Sequence, residues 1–250
     1  MAAPVFQQLP EGSALPAVAQ ILRALAREGC QDLADTVTTW KDPRPPQRWR
    51  QGNLIPVVAI PGINESWISL RPLLEGLNQT GHPIITVPQL GRSIAEPQRL
   101  AQIVQGQVNF HALDRYAIVA HSKGGLVARA LLRTSAGKAQ VAKVVTVGTP
   151  YAGSPWGYIF PAGSQIGRLR PTATFFTSTD GPDFPYHRFL AISSSFDHKL
   201  LGDSFLDPKA QHLTVPALGH TLPLHDPQVL KIARNALGQL LAEKAPRSEN

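Results

Sequence analysis

Tyr116-Ala-Ile-Val-Ala-His-Ser-Lys-Gly-Gly125 reads as a buried strand, a tight turn with serine at its apex, and the first turn of a helix. Ala120 and Gly124 stand two residues before and two after Ser122, in the glycine positions of the G-x-S-x-G elbow. The spacing has a steric cause. A serine raised on a strained strand-to-helix turn brings the flanking backbone so close that nothing larger than a methyl group fits. The turn also aims the first N–H groups of the following helix at the group the hydroxyl attacks.

Outward from this stretch the chain alternates strand and helix. Short apolar runs rich in β-branched residues occur at 55–60, 83–87, 116–120, 143–147, 189–193 and 212–215. Helical patterns lie between them at 66–79, 96–110 and 123–135, with a terminal one at 226–241. Strands that do not alternate apolar with polar, separated by helices, imply an α/β fold. Its mostly parallel central sheet has about six strands and helices on both faces. Chemistry in such sheets collects at the carboxyl ends of the strands. Pro61-Gly-Ile-Asn64, Ser122, Asp197 and His220 each fall just beyond one.

Two regions stand apart from this 54–250 domain pattern. Residues 1–53 hold a helical pattern from Leu15 to Glu28, with Gly29 as its expected stop, and then a Pro-rich strap, Asp42-Pro-Arg-Pro-Pro46. They read as a helix and strap packed on the main body, stabilising it or covering part of a cleft. Residues 149–187 are irregular and rich in Gly, Pro and aromatics, with a short helix expected near 167–176. An excursion of that length suits the wall of a substrate cleft.

The 250 residues fit one domain with a substantial core. The net charge of +7 invites a nucleic-acid reading, but the basic residues are scattered and carry no zinc-finger or RNA-binding spacing. No nucleic-acid partner is expected. A basic surface also suits anionic substrates or transient contact with a membrane or lipid surface. Cys30 is the only cysteine, which excludes an intrachain disulfide and a cysteine-rich metal site. The first thirty residues lack a basic segment followed by an apolar run, and the expectation is a cytoplasmic protein.

A serine hydroxyl needs a base to take its proton and an acid to hold that base in the right tautomer. After the serine, Asp197 and then His220 supply them in chain order, each after a strand. Asp183, Asp203 and Asp207 are rivals for the acid, each less closely tied to a strand end. His121 is read as packing and hydrogen bonding beside the elbow, and His225 as a helix cap. The developing oxyanion requires fixed donors. Lys123 N–H is one, and Ile63 N–H is the other, with Asn64 as its alternate.

These residues resemble a serine hydrolase of the α/β-hydrolase fold, in the manner of bacterial lipases and esterases. The resemblance rests on Val-Ala-Ile-Pro-Gly-Ile-Asn64, Ala-His-Ser-Lys-Gly-Gly-Leu-Val-Ala-Arg129, Gly-Thr-Pro-Tyr-Ala-Gly-Ser154, Ser-Ser-Ser-Phe-Asp197 and Leu-Gly-His220. It spans about residues 54–241. Pro61-Gly62 replaces the His-Gly usual in that family's oxyanion loop, and residues 1–50 have no counterpart in its smallest members.

The expectation is therefore a carboxylic-ester hydrolase, a lipase or esterase working through an acyl-enzyme on small-molecule or lipid esters. No metal or organic cofactor is expected. An apolar acyl pocket is expected, with Asn64, Trp67, Tyr151 and Trp156 as substrate-binding candidates. A thioesterase or acyltransferase with the same triad is the alternative. A non-catalytic ligand-binding homologue is a further one.

Overall fold

The apolar runs at the centre of the sheet become parallel strands because both faces of each are covered, while the last run forms a partly exposed edge strand. The computed structural model describes residues 18–41, 44–178, 180–200 and 206–242. Its strands are Val57–Ile60 (β1), Ile84–Thr86 (β2), Tyr116–His121 (β3), Val141–Val147 (β4), Phe189–Phe196 (β5) and Gln211–Leu218 (β6). They form one sheet in the order β2-β1-β3-β4-β5-β6, and every neighbouring pair is parallel. The helices are Val18–Lys41 (α1), Arg71–Gln79 (α2), Pro97–Phe110 (α3), Lys123–Leu132 (α4), Ser135–Gln140 (α5), Thr174–Thr177 (α6) and Pro227–Ala242 (α7).

Alternate residues of each strand point to opposite faces. Val58, Ile60, Ile118 and Ala120 join Leu100, Val104 and Leu126 of α3 and α4 in one core. Val57, Ala59, Ala117 and Val119 join Leu73, Leu77 and Leu237 of α2 and α7 in the other. Burying one such Val or Ile completely contributes about 1.5–3 kcal/mol, so neither face tolerates a polar alternation.

The strand order also locates the site. The chain leaves β1 for β2 on one side and returns to place β3 on the other. The crevice at this reversal lies beyond the carboxyl ends of β1 and β3. Residues 61–64 and Ser122 occupy those two ends.

Several elements differ from the sequence reading. The N-terminal helix runs through Gly29 to Lys41, because Gly29 lies exposed on its outer face, where a Cβ would meet nothing within 4 Å and nothing forces a turn. Residues 15–17 and Asp42-Pro43 lie outside the described residues. The rest of the strap, 44–50, ends in a short helical turn beside the carboxyl-terminal half of α2. There Trp49 Nε1 donates to Glu75 Oε2 (2.9 Å) and Asn78 donates to the Gln51 carbonyl (3.2 Å). That is the end of the sheet away from Ser122, so α1 and not the strap approaches the site.

The 66–79 helix begins at Arg71, with Pro72 in its first turn. The 123–135 helix ends at Leu132, and α5 follows, capped by the Thr134 hydroxyl. The helix expected at 167–176 is two separate turns, Gly167–Leu169 and α6. Asp180, whose side chain is fully buried, pins this excursion to α4. It accepts from Arg129 Nε (2.9 Å), Arg133 Nε (2.5 Å) and the Tyr186 hydroxyl (2.6 Å). Among the described residues no helix is long and apolar enough to cross a membrane.

Candidate active site

Ser122 links β3 to α4 with φ 50° and ψ −125°, a left-handed conformation that only glycine adopts freely. Two neighbours show why the strand-to-helix turn requires small residues. A Cβ on Gly124 would strike the Ile60 carbonyl, and one on Gly125 would strike the Thr149 side chain. Ser122 N–H is held by the Val147 carbonyl (2.9 Å), which ties the serine to the end of β4.

Two backbone donors are left over beside it. In the loop after β1, Gly62 N–H goes to Glu65 Oε2 (2.9 Å) and Asn64 N–H to the Arg92 carbonyl (2.9 Å). Ile63 N–H has no acceptor among the described residues, and neither has Lys123 N–H at the first position of α4. Asn64, the alternate donor, is thus already engaged, and its side chain accepts from Arg92 Nε (2.9 Å). The Lys123 side chain also has a task, one with no local sequence signal. Its buried ammonium donates to the Ser93 (2.9 Å) and Ala95 (2.6 Å) carbonyls, fastening the elbow to the loop after β2. Burial lowers its pKa to about 8.

The candidate acid and base, Asp197 and His220, follow the ends of β5 and β6. His220 Nδ1 faces Asp197 Oδ2 at 2.7 Å, which places the proton on Nδ1 and leaves Nε2 free to accept one. Asp197 Oδ1 accepts from the Lys199 (2.8 Å) and Leu200 (3.1 Å) N–H groups, so the carboxylate is fixed from both sides. Burial would raise the Asp197 pKa, but the bond from His220 and these N–H groups together hold it low. Burial lowers the His220 pKa and keeps the imidazole neutral, against the pull of Asp197.

The dyad lies against Gly148, the residue after the Val147 that holds Ser122 N–H, and no Ser122–His220 hydrogen bond is present among the described residues. A Cβ on Gly148 would crowd His220 Cε1 at 3.3 Å and lie 3.6 Å from Asp197 Oδ2, and with φ at 59° the backbone itself favours glycine. The backbone of His220 is bracketed as well. Its N–H donates to Glu28 of α1 (2.9 Å), and its carbonyl accepts from His121 Nε2 (3.1 Å).

No protein-family model matches the sequence, and no curated protein matches it. Solved structures do. An esterase from Thermogutta terrifontis superimposes with a TM-score of 0.55 at 16% identity, over 76% of this chain and 92% of that one. The epoxide hydrolase CorEH gives 0.53 at 17%, over 76% and 93%. A structure from work on the metagenome-derived lipolytic enzymes LipS and LipT gives 0.51 at 16%, over 76% and 95%. The chain has the α/β-hydrolase fold. An epoxide hydrolase stands among the esterases, so the fold leaves the chemistry to be read from the site.

Within this α/β-hydrolase fold the remaining candidate residues separate clearly. Trp67 packs edge-on against Trp49 at 5.1 Å, and Tyr151 against Phe189, its hydroxyl on Thr146 Oγ1 (3.1 Å). Both are buried core residues and not cleft wall. Trp156 is 37% exposed and donates from Nε1 to the His198 carbonyl (2.8 Å), one residue from Asp197. Asp207 caps its own turn through the Lys209 N–H (2.8 Å), and Asp183 is exposed in the excursion. Asp203 lies outside the described residues. Asp226, not His225, caps α7, accepting the Gln228 N–H (2.8 Å).

The cleft beside Ile63 also differs from expectation. Its volume is about 320 Å³ and its walls are polar: Asn64, Lys199, and Asp32 and Asp35 of α1. The space behind Lys123, lined by Leu126, Leu169, Phe175 and Phe176 together with Glu96, Gln165 and Arg168, holds about 10 Å³, enough for one water at most.

Proposed function

We propose that this protein is a serine ester hydrolase that works through an acyl-enzyme. The observation that carries the reading is the convergence at Gly148. The Asp197–His220 dyad packs against Gly148, Ser122 N–H is tied to the adjacent Val147, and the N–H groups of Ile63 and Lys123 have no acceptor among the described residues. His220 Nε2 takes the Ser122 proton as the hydroxyl attacks the ester carbonyl. The N–H groups of Ile63 and Lys123 receive the charge that develops on the carbonyl oxygen, and losing one such donor raises the barrier by about 3–4 kcal/mol. His220 then protonates the leaving alcohol, and water attacks the acyl-serine by the same route.

The polar cleft suits a polar alcohol portion. The acyl chain meets apolar surface at the exposed aromatics Trp156, Tyr158 and Phe160, which also offer transient contact to a lipid aggregate. The test is hydrolysis of p-nitrophenyl esters from acetate to palmitate, by wild type and by Ser122→Ala. Serine-dependent turnover is expected, with an unfolding midpoint that the substitution leaves unchanged. Equal turnover by Ser122→Ala would refute the proposal. Rapid transfer of the acyl group to an added alcohol or amine, at the expense of hydrolysis, would reassign the enzyme as an acyltransferase.

A further inference from the structure

On the reading of Ser122 and His220 proposed above, we infer that His121 and Glu65 are positioning residues. They form a buried ion pair that fastens the loop carrying Ile63 to the loop carrying His220.

The hydrogen bonding of His121 sets its charge. Its Nδ1 faces the Glu65 carboxylate at 2.7 and 2.9 Å, and its Nε2 faces the His220 carbonyl at 3.1 Å. Both partners only accept. An imidazole with one proton would turn a lone pair toward one of them, so the ring carries both protons and a positive charge. The ring is fully buried, where an unpaired charge would be very costly, and Glu65 is the counter-ion it requires. The shifts agree in direction. Burial opposes ionisation of both groups, yet His121 holds Glu65 down to about 2, and Glu65 raises His121.

The carboxylate has further bonds, and they point at the reaction. It accepts Gly62 N–H (2.9 Å) and the Ser69 hydroxyl (3.2 Å). With Gly62 N–H so committed and Asn64 N–H on Arg92, the loop presents Ile63 N–H alone to the site. At the other end the His121 ring lies 4.7 Å from the His220 ring, centre to centre. Its charge therefore opposes protonation of the base as well as holding its backbone. The other charged groups around the two rings are Asp197 and Lys199 after β5, and Glu28 and Asp35 of α1.

The signs separate two substitutions. In His121→Gln the cation is gone and the Glu65 anion remains, so His220 protonates more readily. The acid limb of kcat/KM then moves up by roughly one pH unit. In Glu65→Gln the cation loses its partner and discharges, so both charges vanish and the limb stays near its wild-type position. In both variants kcat falls much more than KM rises.

The wild-type protein supplies a readout that needs no variant and no substrate. Nitrogen-15 NMR of the His121 ring should show both nitrogens protonated at neutral pH. A singly protonated His121 overturns the inference. So does an acid limb that His121→Gln leaves in place, since a residue that only fills space would lower the unfolding midpoint without moving the limb. Turnover that does not depend on Ser122 would instead remove the hydrolase reading, and the ring protonation would still report on the pair.

Discussion

Replacing Glu28 with alanine tests whether helix α1 is part of the active site. Glu28 is 2% exposed. It accepts from His220 N–H (2.9 Å), Thr221 N–H (3.2 Å) and Thr221 Oγ1 (3.3 Å), with Lys199 Nζ 3.4 Å away. Alanine leaves two buried N–H donors without an acceptor, each costing about 1–3 kcal/mol. Water entering the vacated space recovers part of that. The expected loss is about 2–4 kcal/mol, the cost of the two orphaned donors less what water recovers. It is a large part of the stability of an ordinary domain.

The loss also carries a pH signature. Burial alone would raise the Glu28 pKa, but the His220 N–H, Lys199 and His198 together lower it. The contribution is thus complete above the unfolded pKa, near 4.3, and fades as pH falls below it. Urea unfolding at pH 7, with kcat on a soluble ester, measures both consequences. Because His220 loses its N–H anchor, kcat should fall more than tenfold while KM changes little. Unfolding within about 0.5 kcal/mol of wild type together with unchanged kcat would refute the reasoning and return α1 to the status of a passive extension.

Four further outcomes follow from particular residues. Ser122→Gly should abolish turnover yet raise stability by about 1 kcal/mol. Relief of the left-handed backbone, worth about 1–3 kcal/mol, exceeds the extra unfolded-state freedom of glycine, and a lowered midpoint would deny the strain. Asp180→Asn should cost about 3–5 kcal/mol by stranding Arg129 and Arg133, and a change under 1 kcal/mol in denaturant unfolding would show that the excursion does not depend on it. Gly29→Ala, on the open face of α1, should stabilise by up to about 1 kcal/mol, and a loss instead would mean the helix breaks there. The acid limb of kcat/KM should lie below the ordinary imidazole pKa near 6.5, because burial lowers His220. Activity is then retained as pH falls past 6.5 and lost only when the ring protonates, and a limb above 7 would contradict the buried, neutral base.

The strands and the elbow were legible because their signals are local. An apolar run without alternation already says that both faces are covered, and Ala120 and Gly124 already say that backbone passes close by. The order of Ser122, Asp197 and His220 was legible for the same reason, since each follows its own strand. Glu28 and Glu65 were not. Glu28 reaches its partners across 192 residues of sequence, and nothing near it marks a helix carboxylate as an acceptor for the base loop. Glu65 left a fainter trace. A carboxylate three residues after Gly62 is the spacing at which a side chain reaches back to a free N–H, as at helix starts. Tyr151 was misplaced because, in irregular sequence, no periodicity tells an aromatic pointing inward from one on a cleft wall, and Trp67 because the helix read from 66 starts only at Arg71, which leaves it in a turn. Gly29 misled because glycine marks a helix end only where the backbone must turn, and here it does not.

The most direct test of the account is covalent labelling with a fluorophosphonate, read by intact mass and peptide mapping. One adduct is expected, on Ser122, formed at least about a hundredfold more slowly in a folded His220→Ala protein. Labelling elsewhere, no labelling of the folded protein, or labelling at the same rate without His220 would contradict it.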